Sequence, residues 1–391
     1  MEKAKVVLLM TLVSVMLLSG CGSDSSNIDS GEVNAADIGL DNTAAENTET
    51  TVETVEQTDD SVPPEEGMVR SKLTNEWIYA ELADTRPIAV MFPINEVAQP
   101  QYGLSNVDIF YEIMEEGDMS RQMGIINDWE NLEQIGNIRS IRDYFVYPAL
   151  EWDSIIVHFG GPELYVSDIL LRSDVENING TGTAAMGSDY GAYYRIPKAG
   201  VASEHTAYTS SENLLAAVDK AGFSLTHRDT YYQPDHFQFA SVSEPNTLES
   251  ADGAEDATTI DMSKCFPVTD SSLTYNAEDG LYYKFLYGKE QVDAATKEQL
   301  AFANVIVQNT SYEVRDDHGY LYFQMHDTTK DGYYFTKGKV IHITWEKDGN
   351  NGVTSNYTPT KYYDDNGDEI TLNTGKTMIF IVKDGDEVIY K

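Results

Sequence analysis

The chain has 391 residues and carries 26 lysines and arginines against 65 aspartates and glutamates, a formal charge of −39. A chain this negative is repelled by nucleic acid and by anionic lipid surfaces, so nucleic acid is set aside as a partner. Two cysteines, Cys21 and Cys265, leave no disulfide framework and no cysteine-based zinc site if the first is acylated.

The amino terminus reads as an address. Met1–Lys5 holds two lysines, and Val6–Leu18 is a 13-residue apolar run, too short to span a bilayer comfortably. Leu18-Ser19-Gly20-Cys21 follows, with small residues before the cysteine. This pattern predicts a lipoprotein signal peptide over residues 1–20, with cleavage before Cys21 and lipid, palmitate included, on that residue. Lipid on Cys21 would hold the protein at the outer face of the bacterial cytoplasmic membrane. Removing residues 1–20 takes away Glu2, Lys3 and Lys5, a net +1, and leaves −40.

Residues 21–72 read as an acidic tether. Gly22–Arg70 has thirteen acids against one base and no aromatic residue, a composition that stays extended. Residues 73–240 are expected to form a first domain. Arg86–Phe92 is a short apolar run, and Asp108–Met114 and Arg121–Asn127 flank a turn at Glu115-Glu116-Gly117-Asp118, which predicts a hairpin. Ser140 with Asp143 three residues on resembles a capping box and predicts a helix from Ile141 to Leu150. Ser154–Phe159 is a continuous apolar run, as in a strand covered on both faces. Gly160-Gly161-Pro162 then leads into a helix over Glu163–Arg172, with Pro162 suited to its first position. Ser173–Thr209 is a long irregular loop carrying several tyrosines, and Ser211–Ala221 is a helix closed by Gly222.

Residues 241–257 read as an acidic linker, with five acids and no base. Beyond it, residues 258–391 are expected to be a mostly antiparallel β domain. Asp279-Gly280, Asp331-Gly332, Asp348-Gly349, Asn366-Gly367 and Asp384-Gly385 punctuate short β-rich runs, and such pairs mark hairpin turns. Gln291–Ala301 is the one helix expected there, and Cys265 is placed on a strand over Thr258–Pro267, as a buried residue. The fold class is therefore α+β: a layered α/β domain followed by a β-rich one.

Several runs carry a resemblance: RPIAVMF at Arg86–Phe92, GLSNVDIFYEIMEEG at Gly103–Gly117, IGNIRSIRDYF at Ile135–Phe145, VHFGG at Val157–Gly161 and HTAYTS at His205–Ser210. NVIVQN at Asn304–Asn309, GYYFTKGKVIHITW at Gly332–Trp345 and GKTMIFIV at Gly375–Val382 continue it. In order, these resemble the YerB-like family of bacterial lipoproteins, whose biochemical role is not established. The resemblance implies two extracytoplasmic domains, α/β and then β-rich, and supplies no reaction. Asn137 and Glu204 depart from it, each standing where proline is expected.

The chemistry-bearing residues concentrate in Ile135–Gly161. Arg139 and Arg142 bracket a helix start, where exposed amides and a planar guanidinium fork suit a carboxylate or phosphate. In a purely structural role they would pair with Asp143, Glu112 or Asp108. His158 lies at the end of a strand before Gly160-Gly161, where ligands of open α/β sheets gather. His205 and Tyr208 end the long loop, which would bring them to His158 and Arg142 if it folded back. The ligand-binding candidates are therefore Arg139, Arg142, Asp143, His158, Gly160, Gly161 and Tyr208. The catalytic candidates are His158, His205 and Glu112. No cofactor is implied, and no metal. The acidic run Asp364–Glu369 has its glycine at the fourth position, not the sixth of a calcium loop, and reads as a turn.

Three functions fit this reading. The first is a surface lipoprotein whose first domain binds an anionic or polar ligand, either a cell-wall fragment or an envelope protein. The second is a wall hydrolase or transferase with His158 or His205 as base and an arginine clamp. The third is an adaptor that docks a partner on its β-rich domain.

Overall fold

The computed structural model describes residues 61–348 and 353–391. The signal peptide, Cys21 and all but the end of the tether lie outside the described residues, as does Gly349 of one expected turn. Strand outweighs helix, 34% against 15%, so the chain is mostly sheet with few helices.

Eleven strands join in one mixed sheet. In chain order they are β1 (Ile88–Phe92), β2 (Ile109–Met114), β3 (Ser120–Ile126), β4 (Ile155–His158) and β5 (Asn177–Asn179). Then come β6 (Glu255–Asp256), β7 (Asn304–Thr310), β8 (Lys330–Thr336), β9 (Lys339–Glu346), β10 (Lys361–Tyr363) and β11 (Thr377–Lys383). Across the sheet the order is β6-β9-β8-β7-β11-β2-β3-β1-β4-β5, with β10 alongside β9.

Strands from the two ends of the chain meet at the centre. β11 lies parallel to β2, with Thr377 opposite Ile109 and Ile381 opposite Ile113. The sheet therefore runs without a break through both halves of the sequence. Strands β1 to β4 are buried along their whole length, as expected of the apolar runs in β1 and β4; in β2 and β3 the burial takes in Glu112, Arg121 and Gln122 as well.

A second, antiparallel sheet covers one face. Its six strands include Thr259–Asp261, Ser272–Asn276 and Leu281–Leu286. Phe302 stacks on Phe110 of β2 with ring centroids 6.3 Å apart, and Phe266 meets Phe380 of β11 at 5.9 Å. Side chains alternate along a strand, so Tyr111 points to the other face. There it accepts a 3.0 Å hydrogen bond from Nε1 of Trp152, at the end of helix α1 (Asp143–Glu151).

Several local expectations change. Helix α1 starts at Asp143, and Ser140 does not cap it: its hydroxyl donates to the carbonyl of Phe159 at 3.3 Å. Pro162 sits at the cap of helix α2 (Glu163–Leu170), one residue before its first position. Gln291–Ala301 forms no helix but a turn with isolated pairings. Asp331-Gly332 is not a turn, because Gly332 lies inside β8. A Cβ there would come within 2.4 Å of the Val307 carbonyl oxygen, so only glycine lets β8 approach β7 so closely. Cys265 is buried as expected but lies in a turn, and burial pushes its thiol up to about 12. Met68–Arg70, inside the stretch read as tether, pairs with Trp77–Tyr79. Helix α3 (Ser211–Ala221) has its expected ends, with Ser210 accepting from the Asn213 amide and Gly222 at φ 73°.

Candidate functional site

The chain crosses one end of the sheet four times in a small space. After β1, the loop through Asn95 and Ala98 meets Asn137, whose Nδ2 donates to the Ala98 carbonyl at 3.2 Å. The Arg139 amide continues β1 by donating to Met91, and Phe159 donates back to the Arg139 carbonyl. Ile138 donates to Ala207, which brings in the end of the long loop. The hairpin turn at Glu115 and Glu116 closes the fourth side.

Three arginines face one another there. Arg121, at the start of β3, is 2% exposed. It contacts Glu115 at 2.5 Å and donates to the Ser140 carbonyl at 2.8 Å. Burial lowers its pKa, and Glu115 opposes that shift. Arg142 lays its fork on Glu116, with Nε donating to the two carboxylate oxygens at 2.9 and 3.0 Å, and reaches Glu115 at 3.1 Å. Burial alone would lower its pKa, but the Glu116 bond and the charges of Glu115 and Glu116 outweigh burial and raise it.

Arg139 is held far more loosely. Its Nη2 makes one contact, 3.4 Å to Glu204, and its buried Nε has no hydrogen-bond partner. The same oxygen of Glu204 lies 3.4 Å from Nε2 of His205. The His205 ring is 6% exposed, and its Nδ1 is unpartnered. Burial first, and the Arg139 charge second, lower its pKa. The Asn137 Oδ1 and the Arg121 Nε are also buried and unpartnered. Buried polar atoms left open in this way cost about 1–3 kcal/mol each, so several in one place need an explanation.

The remaining sequence candidates go elsewhere. Asp143 pairs with Arg315 at 2.5 Å, and neither Arg139 nor Arg142 uses it. Burial raises its pKa, with the Arg315 bond opposing. Asp108 accepts the Asn127 amide instead of an arginine. His158 is fully buried, with Nδ1 2.9 Å from the Gly160 carbonyl and Nε2 3.2 Å from Asn177. Both ring nitrogens have partners, and burial lowers its pKa. Glu112 is also fully buried. It takes hydrogen bonds from Ser120, Gln122 and Ser271 and an ion pair from Lys284 at 3.2 Å. Gly160 adopts φ 80°, and its amide donates to Asn179 at 2.9 Å. Gly161 lies against the Ile141 carbonyl, within 3.0 Å of where a Cβ would stand. Tyr208 packs its ring between Tyr102 and Tyr194, with centroids 6.2 and 6.3 Å away.

So the structure brings His205 to Arg139 through Glu204, sets Arg142 on Glu115 and Glu116, and leaves His158, Asp143, Glu112 and Tyr208 to other partners. Sequence reasoning missed Arg121, Glu115, Glu116 and the role of Glu204. One signal was present, since an arginine inside an apolar strand must find a carboxylate. No group of three or more metal-type ligands occurs among the described residues.

The class is that of a mostly-sheet protein with an arginine cluster at one end of its main sheet and no helix, among the described residues, long and apolar enough to cross a membrane. Its particular family follows from comparison. Residues 73–224 match the N-terminal domain, and residues 262–379 the C-terminal domain, of a protein family of unknown function, DUF3048. The chain belongs to this YerB-like family, with both domains present. It is similar to "Putative lipoprotein YerB" of Bacillus subtilis (strain 168), 26% identical over 84% of this chain and 91% of that one. The crystal structure of YerB protein from Bacillus subtilis has the same fold. It aligns with a TM-score of 0.64 at 22% identity, over 80% of this chain and 96% of that one.

Proposed function

We propose that the protein is an envelope lipoprotein, anchored by lipid on Cys21 at the outer face of the cytoplasmic membrane. Its cluster around Arg139 binds an anionic or polar ligand, a cell-wall fragment or a protein partner. In this reading residues 73–240 are a layered α/β domain that carries the site, and residues 258–391 are a β-rich domain sharing its sheet.

The observation that carries the reading is the state of Arg139. Arg121 and Arg142 each hold a carboxylate at 2.5 Å, whereas the ion-pair contact of Arg139 is 3.4 Å to an exposed glutamate; its buried Nε, like that of Arg121, is unpartnered. A ligand oxygen placed there would recover hydrogen bonds that the fold leaves unmade. His205, whose Nε2 lies 3.4 Å from the same Glu204 oxygen, adds a ring nitrogen beside the guanidinium. The hydrolase alternative loses two of its three catalytic candidates, because His158 and Glu112 are buried and fully bonded.

The test is a pull-down of the full-length chain, in mild detergent, on purified cell-wall sacculi at low and moderate salt. Wild type is expected to bind, Arg139→Ala to lose binding, and raised salt to weaken it. Arg142→Ala is expected to act through stability instead, because it strips the partner from Glu116. Equal binding by wild type and a folded Arg139→Ala would sink the reading for wall polymer, and release of wall fragments by wild type would restore the enzyme alternative.

A further inference from the structure

We infer that Glu204 is a built-in occupant of the Arg139 site, and that the ligand that displaces it is a monoanionic carboxylate. This rests on the reading of Arg139 as a binding residue and deepens it.

One oxygen of Glu204 stands 3.4 Å from both the Arg139 guanidinium and His205 Nε2. It therefore occupies the place where an incoming carboxylate would bridge the two. The carboxylate is itself weakly committed. Its side chain is 56% exposed, and each contact is long for a charge-assisted bond. A long ion pair to an exposed carboxylate is weak and screened by solvent, so a competing anion can take its place.

Charge counting sets the class. Arg121, Arg139 and Arg142 face Glu115, Glu116 and Glu204, so the cluster is balanced with its occupant in place. Swinging Glu204 into solvent leaves one positive charge, because Glu115 and Glu116 stay locked on Arg121 and Arg142. His205, whose ring is held towards its neutral form by burial and by Arg139, adds no second charge. One open positive charge beside a neutral ring that can donate one N–H matches a carboxylate. A phosphate dianion would leave an excess negative charge in a nearly buried place.

The test compares wild type, Glu204→Gln and Arg139→Ala as full-length chains in mild detergent. Acetate and inorganic phosphate are titrated at constant ionic strength, and the His205 ring is followed by NMR. In Glu204→Gln the His205 pKa should fall, since a carboxylate that raises it is gone. Acetate should bind Glu204→Gln about two- to fivefold more tightly than wild type, the scale of one exposed ion pair. Arg139→Ala should lose acetate binding.

An unchanged His205 pKa with equal acetate affinity in wild type and Glu204→Gln would overturn the occupant while Arg139-dependent binding survived. Phosphate binding more tightly than acetate would overturn the carboxylate class. A His205 shift in Glu204→Gln with no acetate or phosphate binding by any folded variant would overturn the binding reading itself.

Discussion

Lys284 reaches Glu112 at 3.2 Å in a place where neither side chain touches water. Ser120, Gln122 and Ser271 complete the carboxylate's shell, and Gln122 exchanges hydrogen bonds with Gln291. The network ties β2 and β3 to the second sheet. A buried ion pair is not in itself strong evidence of stability, but breaking one side of it leaves an uncompensated charge. Lys284→Met should therefore cost about 3–5 kcal/mol in chemical denaturation, and adding Glu112→Leu should recover much of that. If the single substitution costs less than the double, the network is not holding the layers in this way. The same side chains show why Glu112 looked catalytic in sequence. A glutamate among apolar strand residues is either a site or half of a buried pair, and its partner lies far along the chain.

Elements were legible wherever the pattern was local. The apolar runs of β1, β2 and β4, the 115–118 turn, and α3 with its closing Gly222 follow from residues within a few positions of one another. Asp331-Gly332 failed because the same dipeptide serves two purposes. In the turn at Asn366-Gly367 the glycine supplies φ 84° and nothing lies within 4 Å of its Cβ position. In β8 the glycine makes room for the Val307 carbonyl. The two should respond differently to alanine. Gly367→Ala is expected to cost about 1 kcal/mol through its left-handed backbone. Gly332→Ala should cost more, about 2–3 kcal/mol, because a strand must move. Thermal or urea melts of the two variants check this, and equal costs would contradict the role given to Gly332.

At the scale of the molecule, buried histidines set the response to acid. His236 is 2% exposed and stacks on Trp152 at 3.7 Å. Burial, helped by the Lys347 charge, lowers its pKa from 6.5 to about 3. Burial likewise lowers His158, and His326 falls to about 4. For each, the unfolded chain takes up its proton first. Their contribution to stability is thus intact above pH about 6.5 and drains away as pH falls from there towards the folded values. For His236 the slope is about 1.4 kcal/mol per pH unit. His236→Phe keeps an aromatic ring on Trp152 and should shrink the stability loss between pH 6.5 and 4.5 by about 2–3 kcal/mol. Urea denaturation at the two pH values decides it, and an unchanged pH dependence would remove His236 from the account.

What the sequence determined by itself was carried by neighbours along the chain: apolar strand runs, the Gly222 stop of α3, and the order of runs that places the chain in its family. What only the tertiary structure decided was partnership. β2 sits beside β11 although more than 250 residues separate them, Asp143 takes Arg315, and Glu112 takes Lys284. An ion pair is a short-range contact between residues at any separation, so charge type alone cannot say which acid an arginine will meet. The sequence marked the neighbourhood of Arg139 as chemically capable. Only the fold showed that Arg121 and Arg142 are closed by Glu115 and Glu116 while Arg139 and His205 share one loosely held oxygen of Glu204.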